Sequence, residues 1–406
     1  MGAVGIIFSS SSLLIAGGID HLHNYSAEYI RSLNRNASTD SADAVAYNPA
    51  GVMKMDDGLY ANLSVQHILK DYAHMVGGTE YDSDTPSTIP GLFGLYKESR
   101  CALFTALTIP SGGGKVEYDD GSVTSLALGQ AYMAGANALI GFPFYDSIRN
   151  QEVEAEKYYM GFTFGLAYSF NDVISISIGT RYIDARKETQ GAVTIGASSG
   201  GASFDQTAEI DYEETADGWG AIVGINISPS KELNIGARYE TRTKLDFETD
   251  VDRDDLGILV DGSKARRDLP ALLALGVSVR STPNIRIESN LTYYLNENAK
   301  WNGLEKNVNN GYDLGIAFEY TFTPRLKGSL GYMYTDGAIK PDDMAPEAPE
   351  LDGHTISTGL CYKYTDNLHL NFGLGRTFYS EVTTSTGINY EKKVYLTAFG
   401  IQYKFL

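Results

Sequence analysis

The sequence predicts an all-β protein, a transmembrane antiparallel β-barrel of about 14 strands, on three observations. Apolar residues recur at every second position in one segment after another, which is typical of strands with one apolar face. The connections between these segments alternate between short turns and long polar loops, as in outer-membrane barrels. Aromatic residues lie beside the short turns, where the strands of such a barrel leave the membrane.

Composition excludes several other classes of protein. The 406-residue chain is 43% hydrophobic, with 28 tyrosines and 43 glycines, so it is neither disordered nor a bundle of membrane helices. No apolar run reaches the roughly 18 residues of a spanning helix. The net charge of −19 makes nucleic acid an unexpected partner. Cys101 and Cys361 are interpreted as isolated thiols, with a disulfide as the alternative.

The first twenty residues, MGAVGIIFSSSSLLIAGGID, are small and apolar, with no charge before Asp20. This pattern is typical of the apolar part of a secretory signal. We therefore predict that residues 1–18 are a signal peptide, truncated at its start because no basic residue precedes the apolar run. An apolar N-terminal strand is the alternative.

The clearest hairpin is MGFTFGLAYSFNDVISISIGTRY, residues 160–182. Apolar residues occupy every second position from Met160 to Phe170, and the alternation restarts at Ile174. Asn171 and Asp172 between them have turn chemistry, so the stretch predicts two paired strands.

The same alternation recurs along the chain beyond residue 58. Each segment has the roughly 9–11 residues that a tilted strand needs to cross a bilayer. The predicted strands are 59–69, 89–98, 100–109, 158–170, 172–187, 217–228, 233–247, 268–281, 284–296, 311–322, 325–336, 354–364, 367–379 and 392–405.

The connections favour a barrel over a soluble β-sandwich. Short turns follow every even-numbered strand except the last, whereas the other connections are long and acidic. The long connections include 110–157, 188–216, 248–267 and 337–353. A sandwich has no reason to sort its loops in this way, but an outer-membrane barrel does.

The charges of the strands identify the face that lines the lumen. They lie mostly opposite the apolar face, at Arg181, Arg238, Arg286, Glu288, Glu319 and Lys327. An arginine or lysine facing lipid at mid-bilayer would cost about 2–4 kcal/mol, so the charged face must enclose the lumen. Phe162, Phe164 and Ile176 are then predicted to face lipid.

A lumen bounded by about 14 strands must either conduct or be plugged. Residues 24–57, NYSAEYIRSLNRNASTDSADAVAYNPAGVMKMDD, lack both strand alternation and a long apolar face. We therefore predict that residues 19–57 form a hatch, or plug, in the lumen of a barrel spanning residues 58–406.

Several motifs resemble the FadL/TodX family of outer-membrane transporters for long-chain fatty acids and aromatic hydrocarbons. SADAVAYNPAGVMKMDDGLY is similar to the family's hatch, whose Asn-Pro-Ala motif stands here as Asn48, Pro49 and Ala50. Further similarities are YETRTKLDF, DLPALLALGVSV and LDGHTISTGLCYKYTDNLHLNFGLG. The C-terminal YLTAFGIQYKFL resembles the last strand that the barrel-assembly machinery reads, although Phe405 is penultimate.

The resemblance implies passive uptake of a hydrophobic small molecule across the bacterial outer membrane, without catalysis, cofactor or metal. It implies contact with outer-membrane lipid and lipopolysaccharide, with the assembly machinery, and with detergent after purification. In the family, ligand lands in an apolar groove among the outer loops and moves to a pocket above the hatch. It then leaves sideways at a kinked third strand.

Candidate residues follow for each step. Short helices in loop 110–157 are expected to line the groove with Leu126, Leu128, Tyr132, Met133, Leu139, Ile140 and Phe142, although ordinary packing of the loop on itself is the alternative. The lateral gate would lie at Pro110, Gly112, Gly113 and Gly114, unless these residues only end the strand. A ligand carboxylate would meet Arg181, Arg238 and Lys244, unless the arginines pair with lumen acids such as Glu240 or Glu288.

Two other functions stay open at this stage. One is an adhesive or structural barrel with a closed lumen, and the other is a general diffusion porin. An enzyme is not expected, because the six histidines are scattered and suggest no Ser/His/Asp set.

Overall fold

The computed structural model describes residues 25–199 and 202–405, so the predicted signal peptide and residues 19–24 of the predicted hatch lie outside it. One antiparallel sheet contains 18 strands and closes on itself, because the last strand pairs with the first. The strands are β1 (Gly58–Val76), β2 (Thr79–Ser83), β3 (Ser87–Glu98), β4 (Cys101–Tyr118), β5 (Ser147–Ser169), β6 (Ile174–Ser199), β7 (Ala202–Ile227), β8 (Leu233–Glu240), β9 (Asp246–Asp254), β10 (Lys264–Arg266), β11 (Ala271–Thr282), β12 (Ile285–Leu295), β13 (Gly311–Thr323), β14 (Leu326–Asp336), β15 (Gly353–Lys363), β16 (Leu368–Tyr379), β17 (Val382–Thr383) and β18 (Asn389–Lys404).

The 14-strand barrel predicted from the sequence is confirmed. Four short strands, β2, β9, β10 and β17, extend its hairpins at the long-loop end, and the other strands form the wall. The ladder between β1 and β18 runs from Tyr60↔Lys404 to Met75↔Asn389. Each predicted short turn joins two wall strands, so the division into a short end and a long end is also confirmed.

The helical elements are few and short, with one exception. The helices are α1 (Ala27–Ser32), α2 (Ala44–Tyr47) and α3 (Val123–Ile140), and single 3₁₀ turns occur at Gly51–Lys54, Asn296–Asn298, Leu304–Asn307 and Pro341–Asp343. Within the described residues, no helix is long and apolar enough to cross a membrane.

Two of the predicted long loops are in fact regular structure. Residues 188–216 continue β6 and β7 as a paired hairpin to Ser199↔Ala202, because the alternation persists and buries Val193 and Ile195. Loop 110–157 contains one 18-residue helix, α3, rather than several short ones. Ser122 caps its start, and Gly141 ends it with a φ of 87°, a conformation that glycine adopts at little cost.

The predicted assignment of the two faces is confirmed by exposure. The side chains of Phe164 and Ile176 are exposed on the outer surface, whereas Arg181, Glu288 and Glu319 are buried inside the barrel. Aromatic pairs also lie beside the short turns, with ring centroids 5.3 Å apart in Tyr168–Phe170, 5.0 Å in Tyr320–Phe322 and 4.8 Å in Tyr403–Phe405.

Residues 25–57, termed the N-terminal segment below, lie inside the barrel. Positions 25–38 and 41–53 are all buried. Helix α1 contacts β1, β13, β14, β15, β16 and β18, and α2 contacts β3 and β4 on another part of the wall. These strands are neighbours around the barrel, but Asn48 also reaches Asn226 of β7 on the far side, so the segment extends across the lumen.

Replacing Ile316 by arginine is expected to destabilise the folded barrel by about 2–4 kcal/mol, because this exposed position lies midway along β13 and the charge would meet acyl chains. The free energy of unfolding by denaturant in phospholipid vesicles measures the effect. Val173, exposed in the short turn before β6, is the control, where the same replacement should cost at most about 1 kcal/mol. Equal costs at both positions would contradict the assignment of the lipid-facing side.

Candidate functional site

Buried ion pairs connect the N-terminal segment to the barrel wall. Arg31 of α1 pairs with Glu319 of β13, and Arg35 Nη2 lies 2.9 Å from Asp40 Oδ1 within the segment. Arg286 of β12 lies 3.3 Å from Glu319 and 3.5 Å from Asp40, which joins the two pairs into one network. Breaking one buried pair costs about 3–5 kcal/mol, so this network holds the segment in place.

Hydrogen bonds add anchors on the side where the barrel closes. The Glu28 carboxylate accepts from Asn62 Nδ2 of β1 at 2.6 Å and from Asn371 Nδ2 of β16 at 2.9 Å. The Ala42 N–H donates to Gln402 Oε1 of β18 at 2.6 Å. The polar residues that alternate inward along these strands therefore bind the segment rather than water.

The Asn-Pro-Ala motif is part of the same attachment. Asn48 ends α2, and its Nδ2 donates to Ser38 O at 3.0 Å and to Asn226 Oδ1 of β7 at 2.8 Å. Ser175 Oγ of β6 donates to Ala50 O at 2.7 Å. The motif thus fixes a turn of the segment against two wall strands.

Two glycines of the wall allow the segment to approach the backbone. A Cβ at Gly236 of β8 would overlap Asn36 O, and one at Gly276 of β11 would overlap the Ala37 nitrogen. Any larger residue at these two positions would displace the segment. Glycine at both positions therefore lets the segment pack directly against the wall backbone.

The predicted carboxylate-binding arginines already have a carboxylate partner. Arg181 Nη1 lies 2.8 Å from Glu240 Oε2, and Arg238 Nε lies 3.0 Å from Glu240 Oε1. Arg238 also donates to Ala46 O of the segment. Lys244 is exposed in the link between β8 and β9. The structure therefore has the alternative arrangement in which the arginines pair with a lumen acid.

The third wall strand, β4, is irregular where the sequence predicted a lateral gate. Its ladder with β3 ends at Leu92↔Leu107, although β3 itself extends to Ser87. Its ladder with β5 shifts register between Thr108 and Ser111 and again between Gly112 and Gly114. Pro110 has no N–H for the ladder, and Gly112 and Gly113 have φ values of 75° and 96°.

Side chains and the N-terminal segment cover this irregular stretch from within. A Cβ on Gly113 would lie 2.9 Å from Ile89 Cδ1, and one on Gly114 would lie 2.8 Å from Ser87 Cβ. Tyr25, the first described residue, places its carbonyl oxygen against Gly91 of β3. The start of the segment therefore lies beside the break in the β3–β4 ladder.

The predicted groove residues divide into three groups along and after α3. Leu128 is buried with Ile210 and Tyr212, so it packs α3 onto the outer hairpin. Leu126, Tyr132 and Met133 are half-buried, and Leu139, Ile140 and Phe142 are exposed, Leu139 to 91%. Burial raises the pKa of the Tyr132 hydroxyl, which keeps it neutral.

Lys157 and Lys187 are lumen residues that the sequence reasoning missed. They lie directly opposite each other on β5 and β6, with the same inward parity as Arg181. Lys187 Nζ lies 3.5 Å from Glu214 Oε2, whereas Lys157 has no salt bridge to any described residue. The sequence does carry a signal for this pair, because both lysines occupy inward-facing positions in the alternation of their strands.

The described part of the chain contains no cluster of three His, Cys, Asp or Glu side chains that could hold a metal ion. The site therefore consists of a filled lumen, a break in the wall beside it, and an apolar helix at the long-loop end. Its inner surface carries Lys157, which forms no salt bridge with a described residue and lies over the ring of Tyr159.

Comparisons with known proteins agree with this architecture. Residues 15–405 match the family model of the outer membrane protein transport proteins, OMPP1/FadL/TodX. A Pseudomonas aeruginosa FadL homologue is 15% identical with a TM-score of 0.67, covering 95% of this chain and 99% of its own. The Ralstonia pickettii toluene transporter TbuX is 14% identical with a TM-score of 0.65, covering 94% and 98%. The P. putida toluene transporter TodX is 13% identical with a TM-score of 0.66, covering 92% and 98%. No curated protein matches the chain.

Deleting residues 25–53 is expected to turn the barrel into an ion-conducting pore, because these residues fill the lumen that about 14 strands enclose. Single-channel recording in planar bilayers measures the conductance of the wild type and the deletion variant, after heat-modified migration on gels has shown that both are folded. A general diffusion porin would conduct already as wild type and would change little, which is the result that contradicts a closed lumen.

Proposed function

Because this chain belongs to the OMPP1/FadL/TodX family of outer-membrane transport proteins, we propose that it passes hydrophobic small molecules across the outer membrane without energy input. The observation that carries the proposal is the break in the wall at β4 beside a lumen that is filled from wall to wall. Two structurally similar proteins are named as toluene transporters, which supports an apolar ligand.

In this proposal the N-terminal segment is a hatch that closes the axial route. Its support is the complete burial of positions 25–38 and 41–53 and the ionic network around Arg35 and Glu319. We assign Arg181 and Arg238 to holding this hatch rather than to a ligand, since both already pair with Glu240. A hydrophobic molecule then has no direct path to the periplasm through the barrel.

The exit is lateral, through the unpaired stretch of β3 and β4. A lateral route suits an apolar molecule, because it leaves the lumen for hydrocarbon without entering water. Bulged strands beside glycines are common next to functional sites in barrels. Gly112 and Gly113, at positive φ, lie at the second register shift between β4 and β5.

The ligand that best suits the inner surface carries a negative head group. Lys157 Nζ lies 5.1 Å from the centre of the Tyr159 ring, and Lys187 Nζ lies 4.1 Å from that of Phe247. Like charges opposite each other destabilise a sheet, and Glu214 offsets only the charge of Lys187, so a ligand anion would pair with Lys157. Leu245, Phe247 and Leu272 form a buried apolar cluster with Tyr159 beside these lysines, so the surroundings of the head group are apolar.

A second candidate is an adhesive barrel whose lumen stays closed. The exposed aromatic side chains of Phe142 and Phe204 at the long-loop end favour it, because exposed apolar patches mark contact surfaces. Uptake of labelled oleate or toluene by cells with and without the protein distinguishes the two functions.

A disulfide across the break should abolish transport. Ser87→Cys with Gly114→Cys is the nearest pair across the break, because the two Cβ positions lie 2.8 Å apart and need to separate by only about 1 Å to reach disulfide geometry. The free thiols Cys101 and Cys361 are first replaced by serine. Oxidised cells should import labelled oleate and toluene at less than about a tenth of the reduced rate, because the lateral route is covalently closed.

Thr355→Cys with Thr377→Cys is the matched control for this disulfide. The two hydroxyls lie 2.9 Å apart on β15 and β16, which are already fully paired, so a disulfide there should leave uptake unchanged. Equal inhibition by both disulfides, or by neither, would contradict lateral exit.

Lys157→Met is expected to weaken uptake of oleate about tenfold or more, because a charge-assisted hydrogen bond to the carboxylate is lost. Uptake of oleyl alcohol, with the same chain and a neutral head, should not change. Lys115→Met is the control, since Lys115 lies on the neighbouring strand and pairs with Glu117 at 3.2 Å and Glu154 at 2.7 Å. A parallel loss for both probes would argue against a head-group site.

A further inference from the structure

The hairpin of β6 and β7 extends far beyond the membrane. Tyr182 and Trp219 form an outward aromatic pair with ring centroids 5.0 Å apart, as expected for the outer interfacial belt. Beyond this pair the outward residues are mostly charged or polar, beginning with Asp184 and Asp217, which lie opposite each other. From Tyr182 to Ser199 the strand continues for roughly 55 Å at about 3.3 Å per residue.

An exposed apolar cluster lies at the far end of this hairpin. It comprises the last two residues of α3, two phenylalanines that follow the helix and one residue of β7, all exposed except the half-buried Phe144, and we term it the apolar tip: Leu139, Ile140, Phe142, Phe144 and Phe204. The ring of Phe144 lies 6.0 Å from that of Phe142 and 5.5 Å from that of Phe204. Phe142 is 56% exposed and Phe204 46%. At this distance the tip cannot enter the membrane that holds the barrel.

Helix α3 connects the apolar tip with the mouth of the barrel. At its start, the Val123 N–H donates to His74 Nε2 of β1 at 3.1 Å, and Ser122 Oγ donates to Glu347 Oε1 at 2.7 Å. After its end, Asn137 Oδ1 accepts from the Phe144 N–H at 2.9 Å. Eighteen residues of helix span roughly 27 Å, so one rigid element joins the two places.

The composition of α3 is unusual for a helix outside a membrane. Its sequence, VTSLALGQAYMAGANALI, contains no charged residue, in a chain whose net charge is −19. A helix that is uncharged on every face is ordinarily buried, yet Leu139 is 91% exposed. The helix therefore offers an uncharged surface from the tip to the mouth.

We propose that the apolar tip docks onto the surface of a neutral oil droplet, from which the protein takes its ligand. This rests on the proposed transport function and adds the physical state in which the ligand is collected. A neutral liquid surface is the partner that fits best, because an anionic cell surface would repel a chain of charge −19. It is also large enough to cover the whole tip, and α3 continues the apolar surface from the droplet to the barrel.

The test separates docking from transport. The full chain in lipid nanodiscs is mixed with hexadecane droplets and centrifuged, and the floated fraction is measured. Replacing Leu139, Phe142 and Phe144 by serine should lower the apparent affinity for droplets about tenfold or more. Val260→Ser is the control, because Val260 is 68% exposed but belongs to the loop after β9. Leu139→Ser alone, at the most exposed position of the tip, should give a smaller loss in the same direction.

Cells then receive oleate in two physical states, at low content in hexadecane droplets and as monomers buffered by albumin. The serine variant should import the droplet-borne oleate more slowly and albumin-bound oleate at the wild-type rate. Unchanged flotation of the serine variant would overturn the proposal. So would association of wild-type nanodiscs with one another in the absence of droplets, if the serine variant abolished it, because the tip would then bind a second copy of the chain. Flotation without any import by the wild type would leave docking intact and overturn transport instead.

Discussion

Backbone hydrogen bonding in hydrocarbon is the constraint on which this structure depends. No N–H or C=O of a lipid-facing strand can go unpaired without a cost of several kcal/mol, so the sheet must close. Pairing of β1 with β18 from Tyr60 to Met75 achieves this closure. With 14 wall strands, however, closure creates a lumen too wide for wall side chains to fill. The need to fill that lumen determines much of the remaining sequence.

The N-terminal segment fills it with polar and charged groups, which is possible only because their partners come from the wall. Arg31 reaches Glu319, Asn48 reaches Asn226, and Ala42 reaches Gln402, each across a large sequence separation. The inward face of a transmembrane strand has no hydrophobic requirement, so it is free to carry these partners. Glycines such as Gly236 then allow the segment to approach the wall closely. The segment is consequently part of the folded barrel rather than a separate domain inserted into it.

The break at β4 is the exception to complete pairing, and it occurs where protein can shield it. Irregular backbone at membrane depth is tolerated when it is covered by protein or lines a cavity. Here the side chains of Ser87 and Ile89 and the carbonyl of Tyr25 lie against the stretch that has lost its partners. The N-terminal segment links the closed axial route to the weakened wall, because the same segment fills the lumen and covers the break.

The sequence by itself determined the number of strands, the faces they present and the end of the barrel at which each loop lies. These properties are local, because the alternation of Phe164 with Thr163 or of Ile316 with Ala317 records which solvent each side chain meets. It also placed Pro110 and Gly112 at a disturbance of the third strand, since their backbone restrictions are intrinsic. Only the tertiary structure decided that Arg181 and Arg238 share Glu240. It also decided that Lys157 has no salt bridge among the described residues. Finally, it decided that residues 188–216 form a hairpin that packs against α3. Those outcomes depend on which residues become neighbours across strands and through the lumen, and the period of a single strand holds no information about its partners.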